Sequence, residues 1–185
     1  RQRKKFTRRI YGSSELIKGI ERHCLWINDI DLKEAQEIPS ISKRINNTRD
    51  MRLSSRDKGA NKMAEYSHQM REMNIGKVQT IAIPCVSSEN RPYILVGLLD
   101  SSATVTNLCF ALFDAPLWNL AILSSTIHLI WIKTVCGQLE TRLRYSNTMG
   151  WNAFPLPGLT EKNKLDLEQC AEKILIARES HYPAS

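Results

Sequence analysis

Twenty residues, Leu117–Cys136 (LWNLAILSSTIHLIWIKTVC), form the longest apolar stretch of the chain. The stretch carries Asn119, Ser124, Ser125, Thr126, His128 and Lys133. That polar content is too high to cross a bilayer comfortably, so no membrane span is expected. The stretch instead predicts a buried helix from about Leu117 to about Gly137, with Pro116 suited to its first turn. Such a helix needs a core to lie in. The chain has 185 residues, 42% of them hydrophobic and 24% charged, which is enough to build one.

The segments before the apolar stretch change character twice. Residues 1–12 read as extended and basic, and ERHCLWI (Glu21–Ile27) reads as a strand. DLKEAQEI, from Asp31, has helical composition and runs into Pro39. In SISKRINNTRDMRL, Ile41, Ile45 and Met51 are spaced roughly as on a helix, SSRDKG reads as loop, and ANKMAEYSHQMREM predicts a further short helix. Then come two β-rich runs, VQTIAIPC (Val78–Cys85) and PYILVGLL (Pro92–Leu99), with turn chemistry in VSSENR between them. ATVTNLCFALF adds one or two strands.

After the apolar stretch, NAFPLPG (Asn152–Gly158) is a rigid turn with two prolines. The closing segment places Leu165, Leu167, Cys170, Ala171, Ile174, Leu175 and Ala177 on an amphipathic helix. Thr160 is its expected cap, without a full capping box. Mixed elements, then a strand cluster, then two long helices predict an α+β fold. It is expected to be a mixed or antiparallel sheet with flanking helices, followed by a C-terminal helical segment. The expected division is 1–150 and 151–185. Trp26, Trp118 and Trp131 are expected in the core.

Charge is uneven. Residues 1–80 hold 18 Lys/Arg against 10 Asp/Glu, whereas residues 81–185 hold 8 against 9. A basic half favours a polyanionic partner, nucleic acid or an acidic surface, with a merely solvated basic face as the alternative. Cysteines at 24, 85, 109, 136 and 170 form no CxxC pair, which points away from a zinc site or a disulfide framework. Reduced thiols and a cytoplasmic setting fit this count, with Cys24, Cys85 and Cys136 as small core residues. The chain opens at Arg1 rather than Met, which reads as a piece of a longer protein.

Catalytic groups with matched roles are not evident. His23 and Cys24 are neighbours, and on a strand they would point to opposite faces. His128 reads as a buried, hydrogen-bonded histidine or one facing a cleft. Asp29 and Asp31 resemble a metal pair by proximity alone. The phosphate-loop, dinucleotide, HExxH and GxSxG motifs do not occur.

CGQLETRLRYS (Cys136–Ser146) follows the apolar helix and sets Glu140, Arg142 and Arg144 at alternate positions. In an extended segment these would project to one side. Two readings are open. One is a surface salt-bridge ladder. The other is a base-reading set, since arginine bonds bidentately to guanine O6 and N7 and a carboxylate accepts from cytosine N4. Tyr145 and Ser146 would then anchor the ladder. Ser87, Ser88 and Arg91, in a hairpin turn, could contact phosphate or a base edge. Arg49, Arg52, Ser54 and Ser55 form a basic, hydroxyl-rich loop suited to backbone contacts. Each set has plain turn or loop chemistry as its alternative.

Five stretches carry a family resemblance: YGSSELIKGIERHCLWI (11–27), IPSISKRINNTRDMR (38–52), IPCVSSENRPYILVGLL (83–99), LAILSSTIHLIWIKTVCGQLETRLRYS (120–146) and WNAFPLPGLT (151–160). In that order they resemble the target-recognition and C-terminal part of the MmeI-like restriction–modification enzymes. The resemblance implies a region that docks on double-stranded DNA and reads the target. It implies a separate upstream methyltransferase domain of the same chain, which binds S-adenosyl-L-methionine and methylates adenine N6. It also implies that Glu140 and Arg142 are base-reading determinants. Neither the Asn-Pro-Pro-Tyr catalytic motif nor the glycine-rich cofactor motif occurs here, so no cofactor is expected in this piece. Trp151 stands where the family more often has tyrosine, and Asn90 where a second arginine is common. A protein-interaction or scaffold domain with a basic face is the competing reading, and an independent nuclease a weaker one.

Overall fold

The structure, a computed structural model, describes residues 5–181. In chain order the elements begin β1 (Thr7–Tyr11), α1 (Ser13–Lys18), β2 (His23–Leu25), α2 (Leu32–Gln36), α3 (Pro39–Leu53) and α4 (Lys58–Lys62). The strand cluster is β3 (Gln79–Pro84), β4 (Val86–Ser87), β5 (Gly97–Asp100), β6 (Ala103–Val105) and β7 (Cys109–Phe113). It is followed by α5 (Trp118–Leu123), α6 (Thr126–Val135), β8 (Gln138–Leu139), β9 (Arg142–Arg144) and α7 (Glu161–His181). The fold is α+β, with small antiparallel sheets, flanking helices and a C-terminal helix. Its contacts group into two compact units, Arg1–Ile10 with Glu21–Asn74 and Tyr11–Ile20 with Ile75–Ser185.

The first unit carries 16 Lys/Arg against 9 Asp/Glu, so it holds the whole net charge of +7, while the second is balanced at 10 against 10. In the first unit β2 pairs antiparallel with β1, and Phe6, Ile27, Ala35, Ile41 and Ile45 form its core. Pro39 opens α3, where its missing N–H has no intrahelical partner to lose. Ile41 and Ile45 lie one turn apart and are buried together, whereas Met51 falls off that face and is exposed. The helix expected over Ala60–Met73 is confined to Lys58–Lys62, capped by the Asp57 carboxylate accepting from the Gly59 N–H. The basic residues Arg1, Arg3 and Lys4 lie outside the described residues.

In the second unit β3 sits between β5 and β7, and its two faces are both covered. Ile81 and Ile83 join Leu120, Leu123, Leu129, Ile132, Leu143 and Ala171, while Ala82 joins Leu99 and Ala103 on the other side. The Asp114 carboxylate accepts from the backbone N–H groups of Lys77, Val78 and Gln79, which fastens the start of β3 and holds that carboxyl below the ordinary carboxylate range. The run Pro92–Val96 was expected as strand but makes no ladder. Ile94 and Val96 are buried, and the Val96 carbonyl accepts from the Arg178 guanidinium of α7.

The predicted single helix over 117–137 is two helices. α5 ends at Ser124, and Ser125 turns extended and caps α6 by accepting the His128 N–H at 3.1 Å. Serine competes with the helix for backbone partners, and two in a row favour an end and a new start. On α7 only Ala171 is fully buried, with Leu167, Ile174 and Leu175 against the core, and Leu165 and Cys170 face outward. Thr160 caps α7 reciprocally with Asn163, whose carboxamide oxygen accepts from the Thr160 N–H, so a capping box does exist with Asn in place of Glu. All five cysteines are free. Cys109 is the buried one, and Cys24, Cys85 and Cys136 are half-buried. Trp26 is buried under the Arg8 guanidinium, while Trp118 and Trp131 are only half-buried.

Candidate nucleic-acid interface

In the second unit β8 and β9 form a hairpin whose turn is Glu140–Thr141, with Leu139 paired to Arg142 and Gln138 to Leu143. β9 also pairs with β4, Ser87 opposite Leu143 and Val86 opposite Arg144. Leu143 points into the core, so pleating sends Arg142 and Arg144 to the opposite, solvent face. Glu140 does not belong to that extended row. It sits in the turn at φ 57° and reaches Arg142 from there, its Oε2 accepting from Nη2 at 2.8 Å. The two side chains are 77% and 48% exposed, and a pair so solvated contributes under about 1 kcal/mol. It can therefore be redirected to another partner at little cost.

Tyr145, next after β9, is buried and holds the hairpin from inside. Its N–H donates to the Cys85 carbonyl at 2.8 Å, and its hydroxyl lies 3.0 Å from Nε2 of His128. His128 is fully buried, with the rings of Phe154 and Trp151 set edge-on to it at 4.8 and 6.1 Å. Burial lowers the imidazole from 6.5 to about 4 and pushes the Tyr145 phenol up. Ser146 accepts the Met149 N–H and so starts the next turn. Tyr145 thus anchors the hairpin, and His128 is its buried partner.

The remaining expected contacts divide. Ser87 is not in a turn. It lies in β4, is 6% exposed and has no hydrogen-bond partner for its hydroxyl, so it faces inward. Ser88 and Arg91 do occupy the connecting loop, where the Ser88 hydroxyl accepts the Asn90 N–H and the Ser88 carbonyl that of Arg91.

In the first unit Arg49 and Arg52 stand on α3, not in a loop. Arg49 is exposed. Arg52 turns inward and donates to the carbonyls of Met63, Tyr66 and Gln69 at 2.7–2.8 Å, burial lowering its pKa. One fork thereby holds the non-helical segment after α4. The Ser54 hydroxyl closes α3 onto the Met51 carbonyl, and Ser55 accepts the Asp57 N–H. Arg44, four residues before Thr48 and eight before Arg52, lies on the same helical stripe. That spacing is visible in the sequence.

Asp29 accepts from His68 Nε2 and the Gln69 carboxamide, and Asp31 pairs with Lys5 at 3.0 Å, so both acids have protein partners. Among the described residues no group of three or more His, Cys, Asp or Glu converges as a metal site. Nor is any helix long and apolar enough to cross a membrane.

A small α+β core that presents an exposed, charged hairpin from a buried anchor is the build of a recognition module. The chain belongs to the family of MmeI target recognition domains, whose model matches residues 1–158. It is 37% identical over 174 residues to DNA methyltransferase A of Bacillus subtilis (strain 168), covering 94% of this chain and 20% of that protein. It also superposes, at TM-score 0.90 and 33% identity, on the structure of the Type IIL restriction-modification enzyme MmeI in complex with DNA, covering 98% of this chain and 24% of that one. The chain thus spans about a fifth to a quarter of the proteins it matches.

Proposed function

We propose that the chain is the sequence-reading domain of a bacterial, cytoplasmic restriction–modification methyltransferase that modifies adenine N6 in double-stranded DNA. The observation that carries this reading is the exposed Glu140–Arg142 pair on an anchored hairpin, with Arg144 on the same face. Its solved relative is described in complex with DNA. Arg142 has the fork to bind guanine, and Glu140 has the acceptor for cytosine N4, so the pair suits the two halves of one C·G pair. Arg144 serves a neighbouring base or phosphate.

Arg49, Ser54 and Ser55 of the first unit and Ser88 and Arg91 of the second act on the DNA backbone, and Arg52 contributes charge without free use of its fork. We assign base reading to residues 1–150 and the proline turn and closing helix to 151–185. Methyl transfer belongs to an upstream domain of the same parent chain, where S-adenosyl-L-methionine supplies the methyl group. The residues of this chain do not fit that cofactor, because among the described residues no strand-to-helix turn is glycine-rich. What this chain does is hold the duplex while the target adenine leaves the stack.

The test is to map methylated sites made by the full-length parent, native and with Glu140→Lys plus Arg142→Asp. Lys is expected to turn to guanine and Asp to cytosine, so one C·G position becomes G·C while the rest of the motif holds. Methylation at the unchanged motif returns the pair to a surface ion pair and ends the base-reading assignment.

A further inference from the structure

Within the first unit, a cleft of about 320 Å³ opens between strand β2, helix α3 and the segment 67–70. Its wall includes Arg22, Arg44, Thr48, Arg52, Ser67 and His68, and no carboxylate lines it. Asp29 accepts from His68 and Gln69, and Glu21 lies 3.6 Å from His23. Three guanidinium groups line one cleft in the unit that carries all the net charge, a concentration of positive charge that favours an anion.

We propose that this cleft seats a backbone phosphate of the DNA, a contact that rests on the DNA-reading role argued above. Each side chain has a distinct part. Arg44 is exposed and its guanidinium makes no hydrogen bond or ion pair among the described residues, so its fork is available to two phosphate oxygens. The Ser67 hydroxyl is likewise without a partner among the described residues and is a second donor. Arg22 adds charge from the strand side. Arg52 keeps its charge at the floor of the cleft while its donors hold Met63, Tyr66 and Gln69. The Thr48 hydroxyl donates to the Arg44 carbonyl, so Thr48 shapes the wall rather than binding.

Phosphate contacts carry affinity and salt dependence but no sequence information. The test therefore measures binding of the full-length parent to a duplex containing its methylation site, over about 50 to 200 mM salt. Arg44→Ala with Arg22→Ala removes two charges. The slope of log affinity against log salt is expected to flatten by about 1 per charge. Across that range the native protein then loses about tenfold more affinity than the double variant. Arg44→Lys keeps most of the slope, and the methylated motif is unchanged in every variant.

A duplex with a neutral methylphosphonate at the contacted position weakens the native protein and leaves the double variant unaffected. If the native parent binds with a steep slope and the double variant matches it, the phosphate seat is wrong while the DNA-reading role stands. If the double variant changes the parent's melting temperature but not its salt slope, the cleft holds an acidic segment of the protein, and the proposal falls. If the native parent does not bind DNA at all, the reading beneath it fails as well.

Discussion

The Tyr145 hydroxyl stands 3.0 Å from His128 Nε2, one residue beyond the strand that carries Arg142 and Arg144. Both groups are buried, so each depends on the other for a partner. Tyr145→Phe leaves the imidazole nitrogen unpaired and is expected to cost about 1–2 kcal/mol. In a chain of this size that is a fall of roughly 2–8 °C in melting temperature. A melting temperature equal to the native one would mean that the bond contributes nothing.

The same pair sets a pH dependence. The His128 pKa is lowered by burial to about 4, against 6.5 for the free side chain. Between those values the unfolded chain takes up a proton that the folded chain refuses. The contribution of this group is intact above pH 6.5 and is lost as pH falls toward 4. The loss amounts to roughly 2–4 kcal/mol. Urea midpoints taken at about pH 7 and about pH 4.5 are expected to differ less in His128→Gln than in the native protein. Parallel pH profiles would show that residue 128 is not the group that titrates.

Arg52 separates a structural from a DNA-contacting role. Arg52→Lys replaces a fork that spans three carbonyls with a single ammonium, and is expected to destabilise the first unit by about 2–3 kcal/mol. Limited proteolysis would then cut earliest between residues 63 and 70. A variant with native protease resistance and weaker DNA binding would reverse the assignment.

Gly76 is required by a close approach. A Cβ there would lie 2.1 Å from the Gln79 carbonyl oxygen, a backbone atom that cannot swing aside. Gly76→Ala is expected to cost about 1–3 kcal/mol through displacement of the start of β3. Denaturant unfolding reads this as a lower midpoint with an unchanged slope.

Sequence reading found elements wherever periodicity and local chemistry agreed. Ile41 and Ile45 marked α3, and the apolar run 78–85 marked β3. It erred where a tertiary partner decided. The pattern Ile94, Val96 is right for a strand, but the Val96 carbonyl goes to Arg178, 82 positions along the chain. Ser124 and Ser125 lay inside an apolar window, and hydrophobic content outweighed their capping chemistry. The alternate spacing at 140, 142 and 144 gave two of its three residues their common face, but no period announces the turn that takes Glu140 out of the strand. Arg52 looked like any surface arginine, because the carbonyls it holds belong to a segment without regular structure. The partnership of His128 with Tyr145 joins residues 17 apart and leaves no local signature.

The turn at Glu140 has a consequence for how such domains diversify. At φ 57° every side chain other than glycine is strained, by roughly 1–2 kcal/mol, and asparagine and aspartate are strained least. Valine, isoleucine and threonine fit worst, because their branched Cβ crowds the backbone. The set of residues that position 140 can exchange is therefore narrowed by backbone geometry, whatever the side chain contacts. Long unbranched or short polar side chains can enter, each bringing its own donors or acceptors, while β-branched ones are filtered out. New specificities at this position would arise from a small alphabet of side chains.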